Sequence, residues 1–94
     1  MNFSKIIKTK TIKVNHPNFN KIKLQLKPVC FDITFINKNK VIGGNQIWFA
    51  VSINNEEFVK SILREEKIDN ETIEEIINFL SQHYKLDLSK HTLP

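Results

Sequence analysis

The sequence predicts an α+β fold: an antiparallel meander of three to four strands followed by an α-helical hairpin packed on one face. Three observations predict it. Apolar and polar residues alternate from Lys21 to Phe35, the period of half-buried strands. Turn-forming residues cluster at 15–18 and at 37–45. After residue 54 the apolar positions recur at the three- and four-residue spacing of helices. At 94 residues the chain has the size of one domain. Its expected organisation is a strand-rich basic half, 1–53, a helical acidic half, 54–84, and a tail, 85–94.

Residues 5–14, rich in Lys, Thr and Ile, predict a first strand, and Asn15-His16-Pro17-Asn18 a loop after it. From Lys21 to Lys27 the apolar residues fall on even numbers. From Val29 to Phe35 they fall on odd numbers. Proline is locked near φ −65°, whereas the favoured two-residue hairpin turns need positive φ. The phase change at Lys27-Pro28 therefore predicts a bulge, and residues 21–36 read as one long bent strand. Asn37-Lys38-Asn39-Lys40 and Gly43-Gly44-Asn45 are both turn signals, so the next hairpin tip lies between 37 and 45, with its register open. Gln46 to Ile53 predicts the following strand, with Ile47, Phe49, Val51 and Ile53 on the core side and Trp48, Ala50 and Ser52 on the other.

Asn54 or Asn55 caps the first helix, and Glu57 stands at capping-box spacing from Asn54. Phe58, Val59, Ile62 and Leu63 form its apolar stripe. The second helix starts at Asp69, with Ile68 and Ile73 at the spacing of a hydrophobic staple. Its stripe is Ile73, Ile76, Ile77, Leu80 and Tyr84. Lys85-Leu86-Asp87-Leu88 has the alternation of a short added strand.

Charge divides the chain. Residues 1–45 carry nine lysines and one acid, Asp32, whereas residues 46–94 carry five basic residues and nine acids. Phe, Tyr, Met, Ile, Asn and Lys, the residues of AT-rich codons, make up half of the chain. Base composition alone therefore raises the lysine count, but it does not remove acids from residues 1–31. One cysteine, Cys30, excludes an intrachain disulfide. No apolar run approaches a membrane span, and the first residues lack the apolar core of a signal peptide, so the expected location is the cytoplasm, the chain's own or a host cell's.

No catalytic, cofactor-binding or metal-binding motif is present. His16, His83 and His91 fall in three different segments without metal-ligand spacing and read as solvent-facing. Cys30 has no histidine placed by sequence to activate it and reads as a half-buried thiol. A helix-turn-helix over 55–84 is excluded, because its second helix would bring Glu71, Glu74 and Glu75 to the phosphates of DNA. What stands out is a basic sheet face. Lys21, Lys23 and Lys27 share the wet side of their strand, and Lys8, Lys10 and Lys13 lie on the neighbouring one. Trp48, the sole tryptophan, points away from the core.

These seven residues are the expected partner-binding set. The function expected from them is a small non-enzymatic protein-binding module. It would be an accessory protein of a phage, mobile element or low-GC bacterium that regulates or inhibits a larger enzyme. A nucleoprotein defence nuclease is one such target. The alternative is a nucleic-acid-binding protein, with the lysines on phosphates and Trp48 stacked on a base. The edge at 5–14 leaves a homodimer open.

Overall fold

The opposite phases of 21–27 and 29–35 belong to two strands rather than one. The computed structural model describes residues 5–48 and 55–84, and the chain divides into two compact units, Met1–Phe49 and Ala50–Pro94. In the first unit, β1 (Lys8–Lys13), β2 (Lys21–Leu26), β3 (Cys30–Asn37) and β4 (Lys40–Trp48) form an antiparallel sheet in chain order. The predicted bent strand is thus corrected to a β2–β3 hairpin. Leu26 pairs with Phe31, and the Lys27 N–H donates to the Cys30 carbonyl at 2.9 Å, leaving Pro28-Val29 as the connection. A two-residue connection pairs even with odd positions, which is the phase change seen in the sequence. Neither residue has positive φ, so the turn is not one of the primed types that proline forbids.

The second tip is Lys38-Asn39, with φ 50° and 67° and Asn37 opposite Lys40. Positive φ at both central residues is the hairpin turn that matches strand twist. Gly43-Gly44 are therefore strand residues, not turn residues. Their role is close approach. A Cβ on Gly44 would stand 2.5 Å from the Ile33 carbonyl oxygen, whereas one on Gly43 would meet only the Phe35 ring at 3.9 Å. The β3–β4 register shifts by one residue between Phe35 and Ile36, so β4 bulges at Val41-Ile42.

Cross-strand partners share a face. One face carries Ile12, Ile22, Leu24, Leu26, Phe31, Ile33, Phe35 and Ile47, all buried. At one end of this face the β1–β2 loop folds back. Phe19 stacks on Phe35 with centroids 4.6 Å apart, and His16 stacks on Phe19 at 3.9 Å. The Asn18 N–H donates to His16 Nδ1 at 3.1 Å. His16 is therefore half-buried and engaged, not solvent-facing as expected.

In the second unit, α1 (Asn55–Glu65) buries Val59 and Leu63 but leaves Phe58 exposed, so the expected four-residue stripe is narrower than its sequence suggests. Its C-terminus closes through two bonds, Lys67 N–H to Arg64 O and Ile68 N–H to Leu63 O, with Lys67 at φ 63°. This is a Schellman motif built without glycine. α2 (Asn70–Tyr84) buries Ile73, Ile76, Ile77, Phe79 and Leu80. Asp69 caps it: the Thr72 N–H and hydroxyl donate to its two carboxylate oxygens at 3.0 and 2.7 Å. Both staple residues, Ile68 and Ile73, are buried. Lys60 joins the helices, 3.8 Å from Glu56 and 3.6 Å from Glu74. The expectations for 49–54 and 85–94, including Phe49, the Asn54 cap and the short added strand, lie outside the described residues.

Gly44→Ala is expected to destabilise by about 1–3 kcal/mol, because backbone must move to admit the methyl group. Gly43→Ala should stay within about 0.5 kcal/mol of the parent. Chemical denaturation of the two variants checks the contrast, and equal midpoints would contradict this register.

The Thr72 hydroxyl, followed by the Thr72 N–H, holds the Asp69 carboxyl below its ordinary pKa. A depressed folded-state pKa contributes stability above the unfolded value, and the contribution is lost as pH falls through the folded one. Asp69→Ala should accordingly cost on the order of 1 kcal/mol at neutral pH. That gap to the parent should shrink as pH drops below about 4, which thermal melts across pH would show.

Candidate functional site

The sheet's other face is built from four rows of residues across the strands. The first row is Lys13, Lys21, Ile36 and Val41. The second is Thr11, Lys23, Thr34 and Gly44. Thr9, Gln25, Asp32 and Gln46 make the third. At the turn end Cys30 stands opposite Trp48, with Lys27 joined to Cys30 through its backbone N–H.

The register sorts the expected lysines. Lys8 and Lys10 pair with Leu26 and Leu24, which puts them on the apolar side, at its β1 edge. They are not part of the basic face, contrary to the grouping expected from sequence. Charges at an edge strand oppose strand addition there. Lys13, Lys21 and Lys23 do share the outer face. Lys27 is committed: its Nζ lies 2.8 Å from Asp32 Oδ2, and the hydrogen bond to Asp32 raises its pKa. Six expected cations thus reduce to three clustered ones.

Lys13 and Lys21 are directly opposed, and among the described residues no carboxylate pairs with Lys13, Lys21 or Lys23. Like charges in opposed positions work against the sheet by roughly 0.2–1 kcal/mol. The fold retains a repulsion that one acidic residue would remove.

At the other end a polar chain crosses β3 and β4. Gln46 Nε2 donates to Asp32 Oδ1 at 2.9 Å, and the Trp48 indole N–H donates to Gln46 Oε1 at 3.0 Å. Each Asp32 oxygen has a partner, one from Gln46 and one from Lys27. Trp48 is 57% exposed, and its indole N–H ends this chain of hydrogen bonds. Between the two ends, the missing side chain at Gly44 opens a shallow notch lined by Asp32, Thr34, Val41, Gly44 and Gln46. Sequence reasoning included Trp48 and all three of Lys13, Lys21 and Lys23 in the outer-face set, where the register places them. It missed Asp32, Gln46 and Gly44, whose roles depend on the β3–β4 register.

Nucleophilic chemistry at Cys30 is disfavoured. The thiol is 1% exposed, and burial, followed by the Asp32 charge, pushes its pKa up, so it stays protonated. Among the described residues no three His, Cys, Asp or Glu side chains gather closely enough to hold a metal ion. No helix among them is long and apolar enough to cross a membrane. No protein-family model matches the chain, and no curated protein or solved structure shows significant similarity to it.

Lys21→Glu should raise stability by on the order of 0.2–1 kcal/mol, because it turns the opposed Lys13/Lys21 pair into an ion pair. A thermal midpoint at or below that of the parent would show that the two ammonium groups do not repel.

Proposed function

We propose that this chain is a small non-enzymatic protein-binding module that docks on a larger partner through the outer face of its sheet. The observation that carries this reading is Trp48. Interface energy concentrates in a few anchors, tryptophan prominent among them. An anchor whose orientation is already set loses less entropy on binding. An indole left largely in water while Gln46 and Asp32 hold it fits that role. Among the described residues no nucleophile–base pair supports an enzymatic reading.

Regulation or inhibition of a larger enzyme is the biological role we attach to such a module. The AT-rich residue usage supports an origin in a phage, mobile element or low-GC bacterium. There, a nucleic-acid-processing complex such as a defence nuclease is a fitting target.

Direct nucleic-acid binding is the second reading, and Lys13, Lys21 and Lys23, which no carboxylate pairs among the described residues, favour it. Its reach is limited. Three phosphate contacts give a salt slope of only about −2 for a single strand. In addition, Asp32 lies on the face between these lysines and Trp48.

The test is affinity capture from host lysate with the full chain as bait, wild type against Trp48→Ala. A protein retained by the parent and lost by a variant with unchanged circular dichroism is the expected result. Equal capture by both would remove Trp48 as the anchor. Loss of the captured material on nuclease treatment would favour the second reading.

A further inference from the structure

The outer face has a polarity that selects among partners. At one end stand three ammonium groups on long stems, Lys13 opposite Lys21, with Lys23 two residues along the same strand. Opposed residues have Cβ atoms about 5 Å apart and diagonal neighbours about 7–8 Å. Two or three carboxylates on a neighbouring chain fit that spacing. The Thr11 and Thr34 hydroxyls flank Lys23 in its row and add donors. Ile36 and the 70% exposed Val41 complete the lysine row with apolar surface.

Past this end lies the Gly44 notch, where bare backbone forms the floor. Asp32 comes next, its charge met by Lys27, and then Trp48. From Lys21 to Lys27 is six residues of strand, about 20 Å. Positive potential is therefore confined to one end, and the other end is aromatic with a carboxylate beside it. A uniform polyanion does not match this pattern, because its charges would cross Asp32 to reach Trp48. An extended polypeptide with acids at one end and an apolar residue at the other does match.

We propose that the outer sheet face binds an extended acidic segment of a protein, its carboxylates on Lys13, Lys21 and Lys23 and an apolar side chain in contact with Trp48. This rests on the docking-face reading and names the chemistry of its partner. The opposed lysines then have a reason to persist: the repulsion is relieved when carboxylates arrive, so part of the binding free energy comes from the strain of the free state. The span of about 20 Å sets the length of the segment at about six or seven residues.

The test uses the full 94-residue chain, labelled with nitrogen-15 and titrated with a capped peptide of sequence DEDESGSLF. The expected result is saturable binding at low salt. Shifts should be confined to the amides of Lys13, Lys21, Lys23 and Gly44 and to the Trp48 indole N–H, the only such signal in the chain. Lys13→Gln, Lys21→Gln, Lys23→Gln in one chain should weaken binding at least about tenfold. Lys8→Gln, Lys38→Gln, Lys40→Gln, of equal net charge, should leave it within about twofold, which separates a site from overall charge. Circular dichroism confirms that both variants are folded.

Absence of peptide binding overturns the proposal, as does equal weakening by the two triple variants. Tighter binding of a twelve-nucleotide oligothymidylate at the same lysines overturns it in favour of nucleic acid. The captured natural partner separates this inference from the reading beneath it. If Trp48→Ala loses that partner while the Lys13/Lys21/Lys23 variant keeps it, the docking face stands and the acidic segment falls. If both variants keep it, both readings fall.

Discussion

Register is the constraint on which this sheet depends. Side chains alternate with period two, so a slip of one residue exchanges the two faces. Two local devices hold the register. The Pro28-Val29 connection pairs Leu26 with Phe31, which brings the even-numbered apolar residues of β2 to the side of the odd-numbered ones of β3. The bulge at Val41-Ile42 does the same for β4. Continued from the Lys38-Asn39 tip without a bulge, the ladder would set Gln46 opposite Phe31 and Ile47 opposite Cys30. The extra residue reverses this. Ile47 reaches the apolar side, and Gln46 and Trp48 reach the outer one. Gln46 and Trp48 therefore share the outer face because of one inserted residue in β4.

Gly44 belongs to the same arrangement. The strand comes so close to Ile33 that no side chain fits, and the vacant position becomes the notch on the outer face. A glycine that weakens a strand through entropy and lost packing is retained where backbone approaches closely. Here one glycine serves both the sheet and the outer surface, where its notch lies one row beyond Asp32 and Gln46 from Trp48.

Much of this was legible in the sequence, and the failures have definite causes. The alternation in 21–27 and 29–35 identified Ile22, Leu24, Leu26, Phe31, Ile33 and Phe35 as buried, but Val29 is only half-buried and Cys30, expected half-buried, is buried. The join between them does not follow from alternation alone: proline excludes the primed turns, and the Pro28-Val29 connection is a two-residue turn of another type. Gly43-Gly44 resembled a turn because glycine serves positive φ and close approach equally well, and local sequence does not separate the two. Asp69 was legible as a cap, since its carboxylate needs only the next three residues. The Schellman end at Lys67 was not, because the residue in the left-handed conformation is a lysine. On the basic face, Lys21 and Lys23 followed from their own strand. Lys8 and Lys10 did not, because the face of β1 depends on how many residues the loop before β2 contains.

Base composition explains the number of lysines but not their pairing. An AT-rich genome supplies lysine readily, yet codons for other polar residues of similar bias, asparagine above all, are equally available and would remove the repulsion between positions 13 and 21. The same fold neutralises its one outer-face acid thoroughly, giving Asp32 both Lys27 and Gln46. It also pairs Lys60 with two glutamates in the helical unit. Among the described residues no carboxylate pairs with Lys13, Lys21 or Lys23, and what sets these three apart from other surface lysines is that they cluster, two of them directly opposed, on the face that also presents the tryptophan. A repulsion of a few tenths of a kcal/mol is small beside a typical domain stability of about 5–15 kcal/mol, so a fold can hold it in reserve for a partner.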